Sequence, residues 1–191
     1  MGRPRKFDEG AAVDAAMRVF WVKGYEATST QDLCECTGLG RGSLYNAFGS
    51  KRALYEAALR RYADREFAPV LEILERPGPV KDRLRELMLW VIGLDVADPA
   101  HRGCLTINAA VDAAGRTDTV AEFARREFDR LEGILRDLVA LGQRTGELSP
   151  DRPAEQVARS VQSTYYGLRV LGKVRARDEL LDVVEGTLSN L

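Results

Sequence analysis

Apolar residues recur along this chain at intervals of three and four, the spacing that places them on one face of an α-helix, and no stretch keeps the two-residue alternation of a half-buried strand. Ala12, Ala15, Ala16, Val19 and Phe20 share one face of a first helix over residues 7–22, which Gly24 ends as a C-terminal glycine. Thr28, Ser29 and Thr30 offer side-chain oxygens to cap a short helix over 30–36 that stops at Thr37-Gly38. A second short helix is predicted over 41–47. Ser50 then caps a long one over 51–74, whose inward residues include Leu54, Ala58, Tyr62 and Leu71. Further helical runs cover 80–96, 103–114, 118–144, 153–173 and 177–189, separated by Pro77-Gly78-Pro79, Asp98-Pro99, Gly115, residues 146–153 and a charged stretch at 175–178.

This pattern predicts an all-α fold of about nine helices. Three short helices form an N-terminal head, residues 1–50, and a larger helical body follows, residues 51–191, with the fourth helix joining the two. The run over 118–144 is strongly amphipathic through Val120, Phe123, Phe128, Leu131, Leu135 and Leu138, with coiled-coil packing as the alternative to burial of one face in the body.

Composition narrows the class. With 191 residues, 45% of them hydrophobic, and 28 Lys+Arg against 29 Asp+Glu, the chain can bury a core without staples and is neither disordered nor collagen-like. No uncharged apolar run approaches the roughly 18 residues of a membrane span, and no apolar leader follows the first residues, so a cytoplasmic protein is expected. Three cysteines, Cys34, Cys36 and Cys104, make no framework of bridges and fit a reducing compartment. Two cysteines in a CxC spacing without a nearby third ligand make a poor metal site, so Cys34 and Cys36 are expected in packing, and no cofactor or metal is expected. Charge is uneven: residues 1–60 hold nine Lys+Arg against seven Asp+Glu, while the remainder is net acidic. Arg3, Arg5 and Lys6 precede the first acidic residue, as in an arm that seeks phosphate.

Two short helices joined by the tight turn Thr37-Gly38-Leu39-Gly40 and packed on a preceding helix make a helix-turn-helix, whose second helix can enter the DNA major groove. Leu44 and Phe48, one turn apart, are expected to face the core of the head. Arg41, Ser43, Tyr45 and Asn46 are left on other faces. Arg suits guanine O6/N7, Asn suits adenine N6/N7, and the hydroxyls suit phosphates. Gly42 inside a helix costs about 1 kcal/mol against Ala, for which close approach to a sugar-phosphate backbone is a sufficient cause.

Phe20, Gly24-Tyr25, Thr28, Asp32-Leu33, Gly38-Leu39, Gly42-Ser43-Leu44-Tyr45, Phe48 and Ser50-Lys51 together resemble the TetR family of bacterial transcriptional regulators. The resemblance implies a homodimer whose heads grip the two halves of a palindromic double-stranded DNA operator. It also implies a body that takes a small-molecule effector and then releases DNA, most often as a repressor. By position, Thr28, Tyr45 and Lys51 would hold phosphates, and Arg41, Ser43 and Asn46 would face the groove. The family usually has Ser or Thr where this chain has Gly40, which weakens the helix cap by a few tenths of a kcal/mol. The last two helices, through Val157, Val161, Leu168, Leu171, Leu180, Leu181, Val184 and Leu188, would supply the dimer face, with packing inside the chain as the alternative for half of them.

In the body, Gly103-Cys104-Leu105 is similar to a stretch in a subgroup of these regulators, some of which sense oxidants or electrophiles through the cysteine. A cation beside a thiol favours the reactive thiolate, and His101, Arg102 or Lys173 could supply it. The alternative is an inert buried Cys104. Trp90, Met88, Phe67, Asn108, Gln162, Tyr165 and Tyr166 are candidates for an effector pocket. Enzyme chemistry has little support: there is one histidine, and no GxSxG, Walker or HExxH motif is present. The alternatives carried are an interaction module without specific DNA binding, and a thiol-dependent enzyme acting on electrophiles.

Overall fold

Breaks in the apolar pattern become helix boundaries. The computed structural model describes residues 7–114 and 118–191, and among these it contains nine helices and no strand. They are α1 (Glu9–Lys23), α2 (Thr30–Thr37), α3 (Arg41–Phe48), α4 (Lys51–Leu74), α5 (Val80–Ala97), α6 (Leu105–Asp112), α7 (Thr119–Thr145), α8 (Ala154–Leu171) and α9 (Arg177–Ser189). Arg3, Arg5, Lys6 and Gly115, singled out from the sequence, lie outside the described residues.

Short polar side chains start α1, α2, α4 and α7 because they satisfy backbone N–H groups that have no partner within the helix. Asp8 accepts from the Ala11 amide at 3.0 Å, Ser50 from Ala53 at 3.0 Å, and Asp118 from Val120 at 3.0 Å and Ala121 at 3.1 Å. Of the three hydroxyl residues before α2, Ser29 is the cap. Its Oγ accepts from the Asp32 amide at 3.1 Å, and the Asp32 carboxylate accepts from the Ser29 amide at 2.8 Å, closing a capping box. Gly38 ends α2 at φ 68°, a left-handed conformation that a side chain would strain.

The apolar interior falls into two clusters, and α4 contributes to both. One joins Val13, Ala16, Met17 and Phe20 of α1 to Leu33 and Leu44, to Leu54–Ala63 of α4, and to Cys104, Leu105, Ala109, Val120 and Phe123. The other gathers Phe67–Leu74 of α4 with α5, the rest of α7, α8 and α9. The changeover along α4 falls between Ala63 and Phe67, so α6 and the start of α7 share the interior of the head.

The expected dimer face on α8 and α9 is corrected by this packing. Val157, Val161, Leu168, Leu180, Val184 and Leu188 are buried in the chain's own core, with Leu171 and Leu181 packed against it. Among the residues that α8 and α9 leave exposed, the small or apolar ones include Ser163 and Val170 on α8 and Val183 and Gly186 on α9, with Val174 in the turn after α8. The reason is demand: α5 and α7 also bury long apolar faces, and the large side chains of α8 and α9 fill the space between them.

One ion pair is enclosed. Arg169 of α8 meets Asp95 of α5 with two hydrogen bonds, Nε to Oδ2 at 2.9 Å and Nη2 to Oδ1 at 3.2 Å, while its Nη1 reaches Glu66 of α4 at 2.7 Å. Arg169 and Asp95 are 2% and 4% exposed, so water cannot replace either partner. Burial pushes the Asp95 carboxyl above its ordinary value, against the pull of Arg169. Arg169→Met leaves two carboxylates without their cation and should lower unfolding free energy by about 3–5 kcal/mol in urea titration. The Arg169→Met/Asp95→Leu double variant should recover part of that loss. A loss below about 1 kcal/mol for the single variant would mean that solvent screens the pair as it does at a surface.

Candidate nucleic-acid interface and the cavity behind it

The outward face of α3 is polar because one residue holds the helix down. Leu44 is 2% exposed and anchors α3 in the head core, and Phe48 is half-buried with its ring edge-on to Phe7 at 6.2 Å. With that face inside, Arg41, Gly42, Ser43 and Asn46 stand in solvent. A Cβ at Gly42 would meet no atom within 4 Å, so nothing in the chain itself demands glycine there. Gly40 makes no side-chain cap, which leaves the first amides of α3 open to an incoming acceptor.

Tyr45 is half-buried, and its hydroxyl lies 2.9 Å from Thr30 Oγ1 at the start of α2. Two hydroxyls hold two protons and their mutual hydrogen bond uses one, so the pair keeps a donor for a phosphate between α2 and α3. Lys51 packs its ammonium over the Tyr25 ring, 4.4 Å from the centroid, and donates to the Glu26 carbonyl at 3.4 Å. Thr28 requires a correction. It is 1% exposed and its hydroxyl proton goes to the Gly24 carbonyl at 2.7 Å, so it braces the turn after α1 and its hydroxyl has no proton for a phosphate. The Thr30–Tyr45 pair offers what Thr28 does not.

Behind the head lies a cavity of about 40 Å³ lined by Tyr62, Phe67, Cys104, Tyr165, Tyr166 and Arg169, with Glu66, Glu127 and Thr106 among its polar neighbours. Burial raises the hydroxyl pKa of Tyr62, Tyr165 and Tyr166 above the ordinary value, which keeps all three protonated near neutral pH. Burial also pushes the Glu127 carboxyl up, although Arg130 lies 3.8 Å away and rests on the Phe67 ring.

Of the pocket candidates, Cys104, Phe67, Tyr165 and Tyr166 meet at this cavity. Trp90 and Met88 do not line it: they pack in the body core, Met88 fully buried. Gln162 donates to the Phe128 carbonyl at 2.6 Å. Asn108 accepts from the Lys173 ammonium at 3.3 Å, outside the cavity lining.

The sequence reading passed over Glu66, Glu127 and Arg169. The available signal was a charged residue one turn after a tyrosine on an otherwise apolar face, as in Tyr62–Glu66 and Tyr165–Arg169.

The segment that carries Cys104 is fastened to the head. The Trp21 indole of α1 donates to the Gly103 carbonyl at 3.1 Å, and the ring sits edge-on to Tyr62 at 4.8 Å and under the Arg102 guanidinium at 4.5 Å. Arg102 is also bound by Asp98, which accepts from its backbone amide at 2.8 Å and from Nε at 3.1 Å. Gly103 has φ 65°, and a Cβ there would overlap Lys173 Cε, so only glycine lets the lysine stem cross beside Cys104. Of the three candidate cations, Lys173 therefore packs on the residue next to the thiol, Arg102 is held by Asp98, and His101 is exposed. A second tie joins α4 to α7, where Arg52 contacts Asp118 at 3.3 Å and donates to Thr119 at 3.0 Å. Among the described residues there is no cluster of metal-ligating side chains, and no helix is long and apolar enough to cross a membrane.

A DNA-reading head on a helical body with an internal cavity is the architecture of a ligand-responsive transcriptional regulator. Residues 12–58 match the family described as bacterial regulatory proteins, tetR family, and residues 80–188 match the tetracyclin repressor-like C-terminal domain. The chain is 33% identical to the uncharacterized HTH-type transcriptional regulator YezE of Bacillus subtilis over the full length of both. It is 29% identical to the HTH-type transcriptional repressor ComR of Escherichia coli, covering all of this chain and 91% of ComR. Among solved structures, a cysteine variant of the TetR family regulator CifR, complexed with 26-bp double-strand operator DNA, superposes with a TM-score of 0.87 at 32% identity, covering 98% of each chain. This chain belongs to the TetR family of transcriptional regulators.

The Ser29–Asp32 box makes the start of the reading unit sensitive to acid. Asp32 is held down to about 2 by Lys23, 2.6 Å away, then by the Ser29 amide and hydroxyl. The folded carboxyl thus ionises more readily than the unfolded one. Its contribution is complete above the ordinary value of 3.8 and is lost as pH falls toward 2. Asp32→Asn should flatten the acid limb of thermal stability across that window and leave its slope near neutrality unchanged; an acid limb as steep as in the parent chain would contradict the assignment.

Proposed function

We propose that this chain binds a palindromic operator as a homodimer, represses transcription there, and leaves the DNA when a small molecule enters the body cavity or Cys104 is modified. The observation that carries the reading is the exposed polar face of α3, with Arg41, Ser43 and Asn46 outward and Leu44 pinned beneath. Residues 1–50 act as the reading head, and residues 51–191 as the effector and dimer body. Arg41, Ser43 and Asn46 face base edges, Gly42 allows close approach, and Tyr45 with Thr30 and Lys51 holds phosphates. Arg5 and Lys6 add charge at the N-terminal end.

The dimer forms on the outer faces of α8 and α9, where Ser163, Val170, Val183 and Gly186 are exposed, with Val174 in the turn between them. Small side chains let helices approach closely, which suits a four-helix contact. That contact sets the separation of the two α3 helices, which must be about 34–36 Å to meet successive major grooves. A change at Cys104 reaches the head by two routes: through Trp21 bound to Gly103, and through α4, which carries Tyr62. The response is a shift between DNA-competent and incompetent spacings.

The test is selection of duplex fragments by the purified protein, followed by affinity measurement against salt. A recovered palindrome whose affinity falls with a log–log slope of about −0.9 per neutralised phosphate supports operator binding. Lys51→Ala should weaken binding to all sequences. Asn46→Ala should relax preference at one base position by about 1–3 kcal/mol. Equal effects of both on specific and non-specific DNA would overturn these roles.

Release is tested separately. Treatment with a mild thiol reagent should free the operator from the parent chain but not from Cys104→Ser; equal release from both would remove Cys104 from the mechanism.

A further inference from the structure

The cavity beside Cys104 contains a polar atom that the fold leaves unanswered. Tyr62 is 2% exposed, and its hydroxyl has no hydrogen-bond partner among the described residues. Leaving such a group dry and unpaired costs about 1–3 kcal/mol, which folding sequences normally avoid. Of its polar neighbours, Arg169 is divided between Asp95 and Glu66, and the Cys104 sulfur is only a weak acceptor. The ring cannot turn away freely, since its edge contact with Trp21 at 4.8 Å fixes it. The hydroxyl therefore stays at the cavity wall, with the Cys104 sulfur beside it.

A thiol and an unsatisfied hydroxyl donor side by side at one cavity fit a particular reaction. We propose that Tyr62 is the acid partner of Cys104 in capturing a small, neutral α,β-unsaturated carbonyl compound, an inference that rests on reading Cys104 as the responsive residue. The Cys104 sulfur forms a bond to the β-carbon, and the electron pair of the carbon–carbon double bond moves toward the carbonyl oxygen. Tyr62 donates its hydrogen bond and then its proton to that oxygen. The proton released by the thiol returns through water to the phenolate, and the enol so formed passes its O–H proton through water to the α-carbon, so the sum is addition of S–H across the carbon–carbon double bond with no further reactant.

The rest of the cavity agrees with this class of ligand. Ala63, Phe67, Val70 and Leu131 supply apolar wall for a short hydrocarbon. Glu66 and Glu127 at the same cavity oppose an anion, and Arg169 is too fully engaged to invite one. At about 40 Å³ the space suits a few heavy atoms, the room of roughly two or three waters.

The experiment measures the rate of Cys104 modification by 2-butenal and by iodoacetamide, followed by intact-protein and peptide mass, in the full chain and in Tyr62→Phe. Iodide leaves without a proton, so the iodoacetamide rate reports access and thiolate fraction but no acid assistance. The ratio of the 2-butenal rate to the iodoacetamide rate should fall by about tenfold to a hundredfold in Tyr62→Phe. A second measurement needs no variant. Against glutathione as reference thiol, Cys104 in the parent chain should favour 2-butenal over iodoacetamide by about tenfold or more. A Cys104 adduct formed with an unchanged ratio, or with the selectivity of glutathione, overturns the role of Tyr62 and leaves Cys104 as the responsive thiol. No adduct at Cys104 in the parent chain overturns both.

Discussion

The burial of one face of α4 along its whole length is the constraint on which the rest of the molecule depends. Leu54, Tyr55, Ala58, Leu59, Tyr62 and Ala63 close the head, while Phe67, Val70, Ile73 and Leu74 close the body, and one helix carries both sets, although Pro69 removes a backbone hydrogen bond near the changeover. An element packed into two cores cannot shift in one without disturbing the other. The head is therefore not an independent unit hung on a linker. Its position is set by what packs on the first three turns of α4, and that includes α6 and the beginning of α7 from the body. The Arg52–Asp118 contact and the Trp21–Gly103 hydrogen bond add directional ties to this apolar joint.

Electrostatics divides the molecule in the same way. At the surface of α3 the charged and polar groups are free to be answered by a partner, and the mutual hydrogen bond of Thr30 and Tyr45 keeps one proton available. In the interior the opposite rule holds: Arg169, Asp95 and Glu66 satisfy one another because the surrounding apolar side chains exclude water. Tyr62 departs from that rule. Its position beside Cys104, one residue from the carbonyl that Trp21 holds, places the exception where chemistry in the body would be felt by the head.

Much of this was legible in the residues. Helix boundaries follow from Asp8, Ser29, Ser50, Asp118 and the glycines, because capping is a local interaction between neighbours in sequence. The outward face of α3 was equally legible, since Leu44 and its spacing decide which side is outside. Thr28 was misread for a reason of the same kind seen from the other side: a hydroxyl before a helix suits a phosphate, but the turn after α1 takes its proton first.

What the sequence by itself determined is thus whatever depends on contacts within a few residues: the all-helical pattern, the caps, the helix-turn-helix and its outward side chains. Only the tertiary structure decided which of several apolar faces meets which. It spent the large residues of α8 and α9 on the chain's own core and drew α6 into the interior of the head. It also brought Tyr62, Cys104 and Arg169 from three separate segments to one cavity. Hydrophobic burial is non-directional, so an amphipathic helix records that it has an inner face and not what lies against it.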